Sequence, residues 1–318
     1  MRFMISECTV QITDNKIMMD VCGINHKNLK VLEKIADVYV SGGAEEIVLK
    51  GKDADKIKTL LEQLINIAQA GGNIYAGLIE VMYHQVCSNS DVDYEDVMKS
   101  SINIAKVHKT FQPRTPMQGK LIQALSDYDV IFSYGPAGTG KTFLSVCYAV
   151  NALLNKEAAK LILTRPVVEA GESLGFLPGD YTQKINPYLT PLFDAINRIL
   201  TPEIYAKLNA KNMIEVAPLA YMRGRTFENC IVILDEAQNA TCRQMKMFLT
   251  RLGENAKLII NGDVTQIDLP YKVKSGMVEA LEVLQDVPEI GIVEFKESDV
   301  VRHPVVKKII NAYKKHEK

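Results

Sequence analysis

The sequence predicts an α/β protein, a largely parallel sheet wrapped by helices, preceded by a smaller α+β unit. Three observations carry that expectation. Six short apolar runs alternate with helical stretches over the last 200 or so residues, as in sheets built from strand–helix crossovers. The run Val130-Ile131-Phe132 leads into Tyr134-Gly135-Pro136-Ala137-Gly138-Thr139-Gly140-Lys141-Thr142, which fits G-x-x-x-x-G-K-[ST] between a strand and a helix. The first 70 or so residues instead mix short β-like runs with two amphipathic helices.

In the N-terminal part, Val10–Ile12 and Ile17–Val21 read as strands separated by the turn residues Asp14 and Asn15. Gly23 leads into a helix over Asn28–Ala36. Val38–Val40 and Glu46–Leu49 flank Gly42-Gly43 as hairpin strands do. Asp53 is placed to cap a helix through Ile57, Leu60, Leu61, Leu64, Ile65 and Ile67. This order resembles a KH-type RNA-binding module. The GxxG loop of that family is missing, because Ile24, Asn25 and His26 follow Gly23, so RNA binding and a structural or docking role stay open together. A helix over Tyr75–Gln85 and the acidic stretch Asp91–Asp96 connect to Phe111–Pro116, where prolines break helical structure. The expected domains are therefore 1–110 and 111–318.

In the second domain the expected strands are Val130–Phe132, Lys160–Leu163, Met213–Val216, Ile231–Leu234, Lys257–Ile260 and Ile290–Phe295. Unbroken apolar runs at Ile231 and Lys257 suit strands covered on both faces. The basic tail, with Lys307, Lys308, Lys314, Lys315 and Lys318, reads as a solvated helix end.

The chemistry concentrates at the strand ends. Gly135, Pro136, Ala137, Gly138, Thr139 and Gly140 form a loop whose N–H groups converge on phosphate oxygens at a helix N-terminus. Lys141 reaches the β- and γ-phosphates, and the Thr142 hydroxyl is a magnesium ligand. Asp235 and Glu236 follow the Ile231–Leu234 strand, a placement that suits Asp235 to the metal shell and Glu236 to the attacking water. Gln266, after the next strand, can sense a γ-phosphate because an amide both donates and accepts.

With Gln118 upstream, these features resemble the Q-motif, motif II and motif III of superfamily 1 helicase ATPases, which makes Gln118 the adenine reader and ATP the nucleotide. Thr164-Arg165-Pro166, the Gly171–Gly179 segment, Gly224-Arg225-Thr226 and Val301-Arg302-His303-Pro304 narrow the likeness to the long bacterial PhoH family. The resemblance implies a RecA-like P-loop NTPase core with a KH-like N-terminal domain, magnesium-dependent ATP hydrolysis and a role in RNA metabolism, with RNA helicase activity in prospect. It implies a homo-oligomeric ring, commonly a hexamer, and a metal-dependent endoribonuclease as partner. Arg302 is the expected γ-phosphate arginine, with Arg225 and Arg165 as alternatives. The Gly171–Gly179 segment is either a pore- or subunit-facing loop or an ordinary surface loop. One core of about 200 residues cannot close a site between two cores, so an arginine is expected to arrive from a neighbouring subunit.

Composition sets the remaining bounds. A net charge of −1 gives no global attraction to nucleic acid, so such binding would have to be local. Six scattered cysteines without C-x-x-C spacing predict reduced thiols and a cytoplasmic location. No apolar run approaches a membrane span. Two rivals to an RNA-coupled ATPase stay open: a nucleotide-dependent switch acting on a protein partner, and a P-loop kinase. The Asp235-Glu236-Ala237-Gln238 segment and Gln266, within Asn261–Gln266, speak against the kinase, which must exclude the water that these residues would position.

Overall fold

The computed structural model describes residues 6–43, 45–69, 74, 76–87, 100–166, 181–300 and 309. Arg302, His303, the Gly171–Gly179 segment, Asp91–Asp96 and the basic tail lie outside the described residues. The chain divides into two compact units, Met1–Ser101 with Gln112–Gly119, and Ile102–Phe111 with Lys120–Lys318.

The smaller unit runs β1 (Ser6–Gln11), α1 (Asn15–Cys22), α2 (Lys27–Ile35), β2 (Val38–Gly42), β3 (Glu46–Gly51), α3 (Ala54–Gln69) and α4 (Ala76–Cys87). Its sheet is antiparallel in the order β1-β3-β2. Alternation sets the register: Val38, Val40, Ile47 and Leu49 turn inward onto Ile57, Leu60, Leu61 and Leu64 of α3. Truncating a buried leucine such as Leu61 would cost ~2–5 kcal/mol.

One expected element is different. Ile17–Val21 is helical, not a strand, because Asp14 caps it: its carboxylate accepts from the N–H groups of Lys16 (2.7 Å) and Ile17 (3.2 Å). Met18, Val21 and Cys22 then share one buried face at helical spacing. Asp53 stands at the expected cap position, directly before Ala54. Its side chain is taken up by Lys56 (2.9 Å), the Asp37 N–H (3.0 Å) and the Tyr83 hydroxyl (3.2 Å), while its carbonyl accepts from Ile57.

The larger unit holds the hairpin β4 (Ile102–Ile104) and β5 (Lys109–Phe111), then β6 (Val130–Tyr134), α6 (Lys141–Asn155), β7 (Lys160–Arg165), α7 (Tyr181–Ile199), α8 (Pro202–Ala210), β8 (Ile214–Pro218), β9 (Cys230–Leu234), α9 (Cys242–Leu249), β10 (Lys257–Gly262), α10 (Gly276–Leu284) and β11 (Ile290–Glu294). Helix α5 (Pro116–Asp127) precedes β6. Six strands form one parallel sheet in the order β11-β6-β10-β9-β7-β8, which is the α/β fold that the alternation predicts. β9 is buried at every residue, as a central strand with both faces covered must be.

The hairpin packs on α6. Phe111 meets Phe143 edge-on, ring centroids 5.3 Å apart, and the Lys106 ammonium donates to the Leu154 carbonyl. Lys109 donates to the carbonyls of Arg198 (2.9 Å) and Ile199 (3.1 Å), a cation at the negative end of α7. Among the described residues no helix is long and apolar enough to cross a membrane.

Candidate nucleotide site

All six parallel strands point their C-terminal ends at one edge of the sheet, and the site forms there, as open α/β sheets favour. Because β10 lies between β6 and β9, the loop after β6 and the carboxylates after β9 stand two strand spacings apart, ~10 Å. A cleft of about 400 Å³ opens over this edge, lined by the loop, by Asp235 and Glu236, by Asp263 and Gln266, and by Arg165 and Arg198.

The loop from Gly135 to Gly140 turns on backbone that only glycine adopts readily. Gly135 has φ +132°, and a Cβ there would sit 2.1 Å from the Phe295 carbonyl oxygen. Gly140, left-handed at φ 92°, starts α6 without a side-chain cap. Uncapped N–H groups and the helix dipole leave this end disposed toward anions.

Lys141 is buried, and its ammonium donates to the carbonyls of Gly135 (2.6 Å) and Pro136 (2.9 Å) and to Thr139 Oγ1 (3.2 Å). The Thr142 hydroxyl donates to Asp235 Oδ1 at 2.6 Å, joining the loop to β9 across the strand between them. Burial raises the Asp235 carboxyl above its ordinary value, against the Thr142 hydrogen bond. Thr142 and Asp235 are hard oxygen donors, the kind magnesium takes beside water and phosphate oxygens. Among the described residues no cluster of three or more His, Cys, Asp or Glu side chains exists to hold a metal, so a cation here would draw its other ligands from phosphate and water.

Glu236 has left-handed backbone, φ 53° and ψ 39°, and opens the turn Ala237–Asn239. Its Oε1 is 2.8 Å from an Arg165 nitrogen, and its Oε2 accepts from Gln238 Nε2 at 2.6 Å. Gln238 is fully buried; it also donates to the Gln266 carbonyl (3.1 Å) and accepts from the Asp263 N–H (2.9 Å). Asp263 in turn accepts from the Ala137 N–H (3.1 Å), from Gln266 Nε2 (2.6 Å) and from the Thr265 hydroxyl (2.6 Å). One polar network therefore runs from the phosphate-binding loop to Arg165.

Of the sequence-predicted residues, the structure brings together Gly135, Gly138, Gly140, Lys141, Thr142, Asp235, Glu236 and Gln266 around this edge. Gln266 points its amide at Asp263. Arg165 lines the cleft. Arg225 does not, since both its terminal nitrogens donate to Glu215 (2.6 and 3.1 Å) at the β8 end of the sheet. Gln118 belongs to the smaller unit, where its side-chain oxygen accepts from the Arg114 N–H at 2.7 Å and its own N–H donates to Thr115 Oγ1. Arg302 lies outside the described residues.

Sequence reasoning missed Gln238, Asp263 and Arg198. The first two stand inside the Asp235–Gln238 and Asn261–Gln266 strings, which is where a signal for them exists. Arg198, its guanidinium 5.0 Å over the Phe143 ring, carried no sequence signal.

The profile of the PhoH-like protein family matches residues 110–314. A PhoH-like protein of Mycobacterium tuberculosis is 41% identical over 303 residues, covering 95% of this chain and 86% of that protein. A PhoH-like protein of Bacillus subtilis is 44% identical over 290 residues, 91% of this chain and 88% of its own. Protein PhoH of Escherichia coli is 48% identical over 202 residues, 63% of this chain and 57% of its own. Among solved structures the overlap is loose: the large terminase of a thermophilic bacteriophage aligns at 15% identity and TM-score 0.37, over 61% of this chain and 49% of that one. The family profile spans most of the chain and the two longer alignments cover nearly all of it, and with the phosphate-binding loop, Asp235 and Glu236 converging on one edge, the chain belongs to the PhoH-like protein family.

Proposed function

We propose that this chain hydrolyses ATP with magnesium and couples the reaction to binding and remodelling RNA. The observation that supports hydrolysis is the Thr142–Asp235 contact of 2.6 Å with Glu236 next in sequence: two oxygens of the kind magnesium takes stand at the phosphate loop, and a second carboxylate follows them in the chain. Lys141 and the loop N–H groups hold the β- and γ-phosphates, and Thr142 and Asp235 hold magnesium. A magnesium ion bound there screens the phosphate charge. Glu236 takes the proton of a water whose oxygen forms the new bond to the γ-phosphorus. The bond to the bridging oxygen breaks, and ADP leaves with its electron pair.

Gln118 is proposed to read adenine, Gln266 to report the γ-phosphate, and Arg302 to arrive from a neighbouring subunit of a ring, commonly six-membered. Residues 1–110 and 111–318 serve as the KH-like and ATPase domains. RNA is favoured because the smaller unit has the strand and helix order of KH-like modules, and a metal-dependent endoribonuclease is its proposed protein partner. The six free thiols suit the cytoplasm.

The test is phosphate release from ATP with and without single-stranded RNA, with single-stranded DNA alongside and salt varied. Lys141→Ala should lose nucleotide affinity. Glu236→Gln should keep ATP and slow turnover by ~10²–10⁴. A second reading, a slow switch acting on a protein partner, is favoured by one observation: both Glu236 carboxylate oxygens are already engaged. Turnover indifferent to RNA would select it.

A further inference from the structure

The two restraints on Glu236 differ in kind. Gln238 is fully buried and held at three points, by the Asp263 N–H, the Gln266 carbonyl and Glu236 itself, so it cannot leave without breaking the network. Arg165 reaches Glu236 from the end of β7, with 19% of its side chain exposed, and it lines the cleft that Lys141 and Thr142 also line. Glu236 takes both restraints at once, one on each carboxylate oxygen. Its left-handed backbone is fixed by the turn in which the Asn239 N–H donates to the Glu236 carbonyl at 3.0 Å.

A guanidinium forms stronger paired hydrogen bonds to a more highly charged planar or tetrahedral anion. A terminal phosphate entering the cleft offers more charge than the single carboxylate of Glu236, whereas a diphosphate brings no group to that position. The other cleft arginine, Arg198, stands on α7 and stacks over Phe143.

We infer that Arg165 is shared between two anions, the Glu236 carboxylate and the terminal phosphate of a bound triphosphate, and that its transfer to the phosphate releases Glu236 to accept a proton from water. Arg165 is thus a positioning residue that makes the base available only when a triphosphate fills the cleft. The inference rests on the reading that Glu236 is the base and the cleft takes ATP. A ligand shifts such an equilibrium only by its differential affinity for the two arrangements, so the transfer must appear as a difference between tri- and diphosphate binding.

The experiment is a double-mutant cycle on affinity, using the full chain, a non-hydrolysable imidodiphosphate analogue of ATP, and ADP. Glu236→Gln weakens the Arg165 pair, so it should tighten the analogue by at least ~5-fold, the lower end of ordinary coupling between sites, and leave ADP within ~2-fold. In the Arg165→Ala background that gain should vanish. Arg165→Lys, which keeps a point charge without the fork, should restore part of it. Arg165→Gln replaces the alanine variant if the latter loses the wild-type thermal transition.

A gain that persists without Arg165, or that is equal for ADP, would mean that Glu236 merely repels nucleotide charge, and would overturn the inference while leaving the base assignment standing. Wild-type turnover in Glu236→Gln, measured in the same preparations, would instead remove the base assignment and the inference with it.

Discussion

Asp263 Oδ2 accepts a hydrogen bond from the Ala137 N–H at 3.1 Å, so the end of β10 holds the phosphate-binding loop by one of the loop's own donors. The same carboxylate takes Gln266 Nε2, the Thr265 hydroxyl and the Thr265 N–H. Asp263→Ala removes a buried carboxylate from four donors, of which the Ala137 N–H is half-buried and those of Thr265 and Gln266 belong to exposed residues. Hydrogen bonds to a charged group are worth ~1.5–3 kcal/mol each, partly recovered here by water. ATP affinity should fall by about tenfold, ~1.4 kcal/mol, and the thermal midpoint should drop with it. Titration of a fluorescent ATP analogue beside a melting curve checks both. Asp263→Asn, which keeps an acceptor, should fall between the two.

Gly135→Ala should disable the loop outright. The backbone stands at φ +132°, and the added Cβ would meet the Phe295 carbonyl oxygen at 2.1 Å. The dihedral alone costs ~1–3 kcal/mol, and the clash must displace backbone where the Gly135 N–H also donates to the Gly262 carbonyl at 3.2 Å. We expect a clear loss of thermal stability and of nucleotide binding. Gly224→Ala provides the contrast. Its φ is +76° but the space around it is empty, so only the dihedral cost should appear.

Glu215 tests a stabilising contact away from the cleft. Hydrogen bonds from Arg225 hold its carboxyl below the ordinary value, with Lys160 at 2.5 Å assisting against the opposing effect of burial. Its folded pKa is depressed, so its contribution is complete above the unfolded carboxylate value of ~4.3 and fades as pH falls through the folded one. Allowing for partial exposure, Glu215→Gln should cost ~1 kcal/mol at neutral pH. Melting curves of the two proteins should converge as pH is lowered below ~4.

Thiol labelling should sort the cysteines by burial. Cys87 is exposed, whereas Cys22, Cys147 and Cys230 are buried, and burial pushes each of those three thiols up. An aromatic disulfide reagent should modify Cys87 rapidly in the native protein and reach Cys147 only on unfolding. Fast labelling of Cys147, read by peptide mass, would contradict the packing of α6 against the sheet.

The strands of the parallel sheet were legible as apolar runs: β9 and β10 have nowhere to go but a covered interior, while the edge strand β11 alternates and leaves Ile292 exposed. The phosphate loop and the Asp235-Glu236 pair were legible because the chemistry fixes residue types at short spacing. The helix over Ile17–Val21 was not. A five-residue run of mostly apolar side chains fits a period of 2 about as well as 3.6, and the Asp14 cap decided it. Gln238 and Asp263 were in view as letters, yet their hydrogen bond spans 25 residues of chain and needs β9 and β10 side by side. The arginines show the same limit. Arg165 and Arg225 look alike in sequence, and only the fold pairs one with Glu236 and the other with Glu215.

A sheet whose strands all run one way has a front and a back. The phosphate loop, Asp235, Glu236 and Asp263 gather at the front, so the turns before β9 and β10, at Asn229 and Asn255, lie at the back, where the two side chains hydrogen-bond each other at 3.2 Å. That makes the back the natural handle. A dye, affinity tag or surface tether attached at Asn255 would stand a full strand length from the phosphate loop, suited to single-molecule observation of each turnover.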